Sequence, residues 1–457
     1  MNTWLDKFDL GLVIIVGGGI SGQATLTELV PYANQVIVVE DSATELLRQK
    51  CSELGVPIIE SNDSRSLDEK FAAATLVVMS PGIPHGHLAY QYAAKYQVSL
   101  TTELELGYKR LGSNSKIIAV TGTNGKTTVT SLIARMLRES GFHAIEAGNI
   151  GTPLISISLE DNSIVVAEVS SFQLALIDDF KPNIAIWLNL SEDHLDIHRD
   201  FEDYALSKAR IFKNMDDEGV AIVNCKDEKI MKYASSYPVR KTTFGCGSAD
   251  ARLEGDQLIF RDEVIMSESD LARSFPHDIE NALAACAGAI CGGASRQACT
   301  QVLKDFKGMP HRIEFVDMVS GVDFYDDSKA TTPASVNAAL SGFESVILII
   351  GGRDKSLDFA IVKPNLHRVK KMITFGESAG KLYEMFAGVA NVEQVANLEQ
   401  AVQKAFDSAI AGDTVLLSPG CASFDHYSSY AQRGEHFRGL VSQLCLVNRS
   451  NNSEFQR

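Results

Sequence analysis

The chain has 457 residues, 45% of them hydrophobic and 22% charged, with a formal net charge of −16. These values describe a globular chain of about three domains with apolar residues for several cores, and the acidic balance argues against nucleic acid or an anionic membrane as partner. The eight cysteines form no CxxC pair and no zinc-finger spacing, so reduced cytoplasmic thiols are expected.

One pattern occurs three times, an apolar strand running straight into glycines and then helical periodicity. It appears at Leu12–Gly19, Ile117–Gly125 and Ser345–Gly352. Strands alternating with helices predict parallel sheets joined by right-handed crossovers. The expected fold is α/β, in three consecutive α/β domains: a Rossmann-like N-terminal domain over residues 1–111, a P-loop ATPase-like central domain over 112–308 and a Rossmann-like C-terminal domain over 309–457.

In the first unit the apolar run Leu10 to Val16 is far shorter than the ~20 residues of a membrane span, and no basic stretch precedes it. Gly17 to Gly22 fits GxGxxG after a strand, and a second strand, Val36 to Val39, ends in Glu40-Asp41. That spacing suits an acid meeting a ribose hydroxyl, as in NAD sites, but the glycines would hold any nucleotide diphosphate equally well. A later strand, Thr75 to Met79, ends in Ser80-Pro81-Gly82, at the sheet edge where ligands gather.

The second unit opens with Ile117 to Thr130, IIAVTGTNGKTTVT. Strand, glycine loop, Lys-Thr and helix form the layout of a phosphate-binding loop. Gly122 and Gly125 let backbone N–H groups face a phosphate, and the new helix adds its positive end. Lys126 supplies a mobile charge, and Thr127 a hydroxyl for Mg²⁺. One departure is Val120, where the full pattern has glycine. The strand Ser163 to Ala167 ends in Glu168, placed to bind Mg²⁺. Another strand, Ile184 to Leu188, runs into Asn189–Asp196, a loop rich in ligand-type side chains that includes His194. Phe201 to Met215 reads as a helix carrying Lys208, which periodicity alone would leave in solvent. The stretch His277 to Ile290 reads as a helix with Asn281 near its start.

The third unit offers basic or hydroxyl groups after each strand. These are Asp326–Thr332 with Asp327, Lys329 and Thr331; then Lys355; then Ser423 in the loop after the strand Thr414 to Leu417. Lys329, Lys355 and Ser423 could converge on a carboxylate-bearing substrate. The tail after Val447 reads as disordered.

Taken together, TGTNGKTT, NLSEDHLD, EVSSFQL, DDSKATT and SPGCASFDHYSSYAQRGEHF resemble the Mur ligase family over nearly the whole chain. The last three motifs are similar to those of its D-glutamate-adding members. The resemblance implies ATP-dependent joining of D-glutamate to UDP-N-acetylmuramoyl-L-alanine through an acyl phosphate, in peptidoglycan precursor synthesis. It implies Gly122, Thr123, Asn124, Gly125, Lys126, Thr127, Thr128, Asn281, Arg312 and Asp327 as ATP-binding. It further implies Ile20, Ser21, Glu40, Asp41, Ser80, Pro81, Gly82, Asn149 and His194 toward the UDP-substrate. Lys329, Thr331, Lys355, Ser423 and Tyr430 would bind D-glutamate. Lys126, His194 and Lys208 would be catalytic, and Thr127, Glu168, His194 and a carbamylated Lys208 would hold two Mg²⁺ ions. Small-molecule substrates, no nucleic acid, no membrane, a cytoplasmic location and a monomer complete the expectation. Asp278 and Tyr430 depart from residues common at those positions, asparagine and phenylalanine.

Overall fold

The computed structural model describes residues 10–111, 115–149, 151–158, 163–194, 197–354 and 357–454, with side chains to residue 446. The expected site residue Lys355 lies outside the described residues. The chain divides into two compact units, Met1–Leu271 with Glu280–Asp305, and Ala272–Ile279 with Phe306–Arg457.

The first unit holds two sheets. Strands β1 Leu12–Val16, β2 Gln35–Glu40, β3 Ile58–Glu60, β4 Leu76–Met79 and β5 Ser99–Thr102 form a parallel sheet of order β3-β2-β1-β4-β5. The next sheet comprises β6 Lys116–Thr121, β7 Ala144–Gly148, β8 Ile164–Glu168, β9 Ile184–Trp187, β10 Val220–Asn224 and β11 Arg240–Phe244. It also takes in β12 Ala251–Glu254, β13 Gln257–Phe260 and β14 Glu263–Ser267, in the order β14-β13-β12-β11-β10-β9-β6-β8-β7. Its last three strands are antiparallel neighbours.

The second unit holds β15 Glu314–Val319, β16 Val322–Asp326, β17 Val346–Gly351, β18 Val369–Phe375, β19 Val392–Gln394 and β20 Thr414–Leu417, ordered β15-β16-β20-β17-β18-β19. Only β15 runs antiparallel, as a hairpin with β16.

The central strands are apolar throughout because helices cover both faces of a parallel sheet. In β1 all five residues are buried. Val13 and Ile15 enter one core while Ile14 and Val16 enter another, as the two-residue repeat of a strand requires. Each strand order reverses beside β1, β6 or β20. A reversal opens a crevice at the carboxyl ends of the strands, the usual ligand position in such sheets. The loops singled out by sequence all follow strands at those ends.

Two expectations fail. Cys225 and Cys246 form a disulfide, with Cα atoms 5.7 Å apart, while Cys51, Cys286, Cys291, Cys299, Cys421 and Cys445 are free. Cys225 directly follows β10 and Cys246 stands two residues past the end of β11, and the two strands are parallel neighbours with Asn224 opposite Phe244. Adjacency in the sheet makes the bond possible, and it leaves no trace in a sequence separation of 21. The tail also differs, since the last helix, Tyr430–Glu454, continues past Val447.

Glu103 begins the helix Glu103–Leu111 and is 1% exposed. Its Oε1 accepts the Ile155 N–H at 2.7 Å. Burial pushes its carboxyl from the ordinary 4.5 up to about 7. Between those values the folded chain keeps a proton that the unfolded chain has released, so stability falls as pH rises through the window. Glu103→Gln keeps an acceptor for Ile155 and removes the charge. Thermal unfolding should show a higher midpoint than the parent at pH 8 and no difference near pH 4. Equal midpoints at both would remove this account.

Candidate active site

Loops at carboxyl ends of strands in the first unit carry most of the expected residues. In the first sheet Ser80 Oγ donates to Gly17 O at 2.7 Å, which ties the loop after β4 to the glycine loop after β1. A Cβ on Gly22 would lie 1.9 Å from Gly17 O, so only glycine lets the helix Ile20–Leu29 start this close. Glu40 does not stand free. Its Oε2 accepts the Gly18 N–H at 2.5 Å. Asp41 is held below the usual carboxylate range, chiefly by Ser61 and also by His87. Ile20 is 77% exposed at the mouth of this loop.

The phosphate loop follows β6. Gly125 has φ +82°, and a Cβ there would meet Asn281 Oδ1 at 2.5 Å, so Asn281 is brought directly against the loop. Asn189, after β9, accepts the Asn124 N–H at 2.8 Å and donates to Asn124 O at 3.1 Å. Thr123 Oγ1 contacts Tyr204 OH at 3.0 Å and accepts the Ser191 N–H. Lys126 Nζ curls back to Gly122 O at 3.0 Å and Thr123 O at 2.8 Å. Thr127 Oγ1 donates to Glu168 Oε2 at 2.8 Å, while Glu168 Oε1 accepts from Asn149 Nδ2 at 3.2 Å. Glu168 is 2% exposed. Thr128 is buried in the first turn of the helix Lys126–Glu139.

Lys208 is the reversal of the periodicity reading. On the helix Phe201–Ala209 it shares the buried face with Tyr204, one turn earlier, as residues four apart do. Its Nζ donates to Gly122 O at 2.7 Å and lies 4.7 Å from the Tyr204 ring centroid. Among the described residues no carboxylate is within ion-pair distance of it. Burial first, then neighbouring Lys126, pushes its amine well below the usual lysine range. His194 has φ +56°, and its Nε2 lies 3.3 Å from Asp193 Oδ2.

In the second unit Asp327 is buried. It accepts from Ser418 Oγ at 2.7 Å and from the Ile313 N–H at 3.3 Å, and burial pushes it up to about 7. Arg312, half-buried, lowers it in part. Lys329 Nζ sits 3.7 Å from the Tyr430 ring centroid, which gives that tyrosine a partner inside the protein. Thr331 lies in the same loop as Lys329, and Ser423 is 2% exposed in the loop after β20.

Two family domains match this chain, the Mur ligase middle domain over residues 120–289 and the Mur ligase glutamate ligase domain over 311–421. Over 445 residues the chain is 38% identical to the UDP-N-acetylmuramoylalanine--D-glutamate ligase of Geobacillus sp. (strain WCH70), covering 94% of this chain and 97% of that protein. The chain belongs to the Mur ligase family. The protein of the same name from Bacillus mycoides (strain KBAB4) is 36% identical over 442 residues, with 94% and 97% covered. Solved Mur ligases share its fold. UDP-N-acetylmuramate-alanine ligase from Thermotoga maritima aligns at TM-score 0.59 and 18% identity, covering 95% of this chain and all of that one. MurF from Acinetobacter baumannii aligns at 0.60 and 16%, covering 95% and 90%.

In this Mur ligase the phosphate loop, Glu168, His194, Lys208 and Asn281 lie inside the matched middle domain. Arg312, Asp327, Lys329 and Thr331 lie inside the glutamate ligase domain, with Ser423 and Tyr430 beyond its matched end. Sequence reasoning missed three supports. Tyr204 braces Thr123, and its four-residue spacing to Lys208 was the available signal. His311 meets Asp326 at 2.7 Å. Arg433 is wholly buried and donates to Ser328 Oγ and O and to Cys421 O and Ala422 O, bracing the loops after β16 and β20. Nothing local marks an arginine for burial.

Proposed function

We propose that this Mur ligase joins D-glutamate to UDP-N-acetylmuramoyl-L-alanine using ATP, in the making of a peptidoglycan precursor. The observation that carries the reading is similarity over nearly the whole chain to relatives named for that ligation. The chemistry sets the order of steps. A carboxylate is a poor acyl donor, so the γ-phosphoryl group of ATP is transferred to it first, and phosphate then leaves as the D-glutamate amine attacks.

Each group has a task in this reading. The backbone N–H groups of Gly122–Thr128 and the Lys126 ammonium hold the ATP phosphates, with Asn281, Arg312 and Asp327 at the nucleoside. The loops at Ile20-Ser21, Glu40-Asp41 and Ser80–Gly82 take the uridine diphosphate end of the acceptor, and Asn149 and His194 its far end. Mg²⁺ fits this donor set. Thr127 Oγ1 and Glu168 Oε2 are 2.8 Å apart, the spacing of adjacent oxygens on an ion bound at about 2.0–2.1 Å. When bound, the ion neutralises phosphate charge. His194 and a carbamylated Lys208 are the donors for a second ion. The reading places the enzyme as a monomer in the cytoplasm, where ATP and UDP-linked precursors are found, the Cys225–Cys246 bond notwithstanding. No helix among the described residues is long and apolar enough to cross a membrane.

Incubation with ATP, UDP-N-acetylmuramoyl-L-alanine and a panel of D- and L-amino acids tests the reading by product mass. D-Glutamate should be the amino acid ligated, and ligation of another residue, or ATP binding without product, overturns it. A dicarboxylate entering a net-acidic protein needs local cations, so Lys329→Ala should raise KM for D-glutamate. A lost charge-assisted contact costs roughly 1.5–3 kcal/mol, while KM for ATP should hardly change. Equal losses for both would mean a damaged fold.

A further inference from the structure

We propose that His85, His198 and Asp203 form a site for one divalent transition-metal ion of the zinc class, apart from the nucleotide site, that clamps the N-terminal sheet to the central one. His85 follows β4 of the first sheet, whereas His198 and Asp203 lie beyond β9 of the second, and their donor atoms all fall within 4.8 Å of one another.

The geometry is nearly that of a coordination shell. His198 Nδ1 is 3.3 Å from Asp203 Oδ2, and His85 Nε2 is 3.8 Å from the same oxygen. Donors bound tetrahedrally at about 2.0–2.2 Å stand about 3.3–3.5 Å apart; the two distances to Asp203 Oδ2 are close to that spacing, and the two imidazoles lie within 4.8 Å of one another. Two imidazoles and a carboxylate suit zinc, cobalt or nickel better than magnesium, which prefers oxygen.

The surroundings orient each ligand. The His198 side chain is wholly buried, and its Nε2 lies 2.9 Å from Ser171 Oγ. With Nε2–H donating to that hydroxyl, the Nδ1 lone pair faces Asp203, the outer partner that metal-bound histidines usually have. Phe172 stacks on the His198 ring at 5.2 Å and Tyr90 on the His85 ring at 5.2 Å. Asp203 is held in place by Arg199, its Oδ1 accepting from the guanidinium at 3.0 Å and its Oδ2 accepting the backbone N–H at 3.2 Å, while Oδ2 also faces both imidazoles. A second group of this kind, His311, Glu314 and Asp326, is already spent internally. His311 Nδ1 is within 2.7 Å of Asp326, and Glu314 pairs with Arg438.

The test uses the full chain, stripped with chelator and titrated with Zn²⁺, and separately with Co²⁺, in saturating Mg²⁺. One equivalent should bind, the Co²⁺ adduct should show visible ligand-field bands of nitrogen coordination, and Zn²⁺ should raise the unfolding midpoint, as a ligand of the folded state does. His85 is partly exposed, with 31% of its side chain accessible, so His85→Gln should fold normally. It should weaken that equivalent by at least about tenfold, the least that losing an outer partner costs, and abolish the midpoint shift. Asp203→Asn should do the same, and His194→Gln should leave the equivalent intact. The proposal is overturned if no equivalent binds, if both His85→Gln and Asp203→Asn bind like the parent, or if only His194→Gln loses it.

Discussion

Lys126→Ala should lower the rate of ligation by about a hundredfold or more, the usual effect of removing one preorganised charge from the transition state, with the far-ultraviolet circular dichroism unchanged. The fold should survive because the Lys126 bonds to Gly122 O and Thr123 O lie within its own loop. Gly122 O keeps a second donor in Lys208. With phosphates present the ammonium leaves those carbonyls for the transferring group, where charge is concentrated and water is scarce. Phosphate release and product formation should fall together. Near-normal turnover by this variant would remove the loop from the chemistry and with it the proposed reaction.

Lys208→Ala should be equally inactive, and acetate or formate should restore part of its activity. A buried amine with Gly122 O as its hydrogen-bond partner and Lys126 nearby is poorly placed to stay an ammonium. As a free amine it can attack CO₂. The nitrogen–carbon bond forms, a proton is lost to solvent, and an anionic carbamate with two hard oxygens results, suited to Mg²⁺. A small carboxylate can occupy the space that alanine leaves and supply similar oxygens. Lys208→Arg should stay inactive, since a guanidinium keeps its charge and forms no such adduct. Labelling with ¹³CO₂ should give a carbamate carbon resonance that disappears in Lys208→Ala. A fully active Lys208→Arg would sink the idea.

The sheets were legible because a parallel strand covered on both faces must be apolar from end to end, as Leu12–Val16 and Val346–Gly351 are. The phosphate loop was legible because its glycines, lysine and threonine are fixed by local geometry. What stayed hidden depends on which elements become neighbours. Lys208 reads as a solvent lysine until its helix is laid against the phosphate loop. Cys225 and Cys246 pair only because β10 and β11 lie side by side. The approach of Lys329 to the Tyr430 ring, about a hundred residues on in the chain, likewise has no local signal.

Arg433 has one more consequence. Its guanidinium is fully buried and reaches Ser328 in one loop and Cys421 and Ala422 in another, so the two loops and the start of the last helix behave as a single interchangeable part. Grafting either loop alone from a relative that adds a different amino acid would leave a buried cation facing carbonyls in the wrong places. Anyone exchanging one of these loops would have to carry the other loop and the helix start with it.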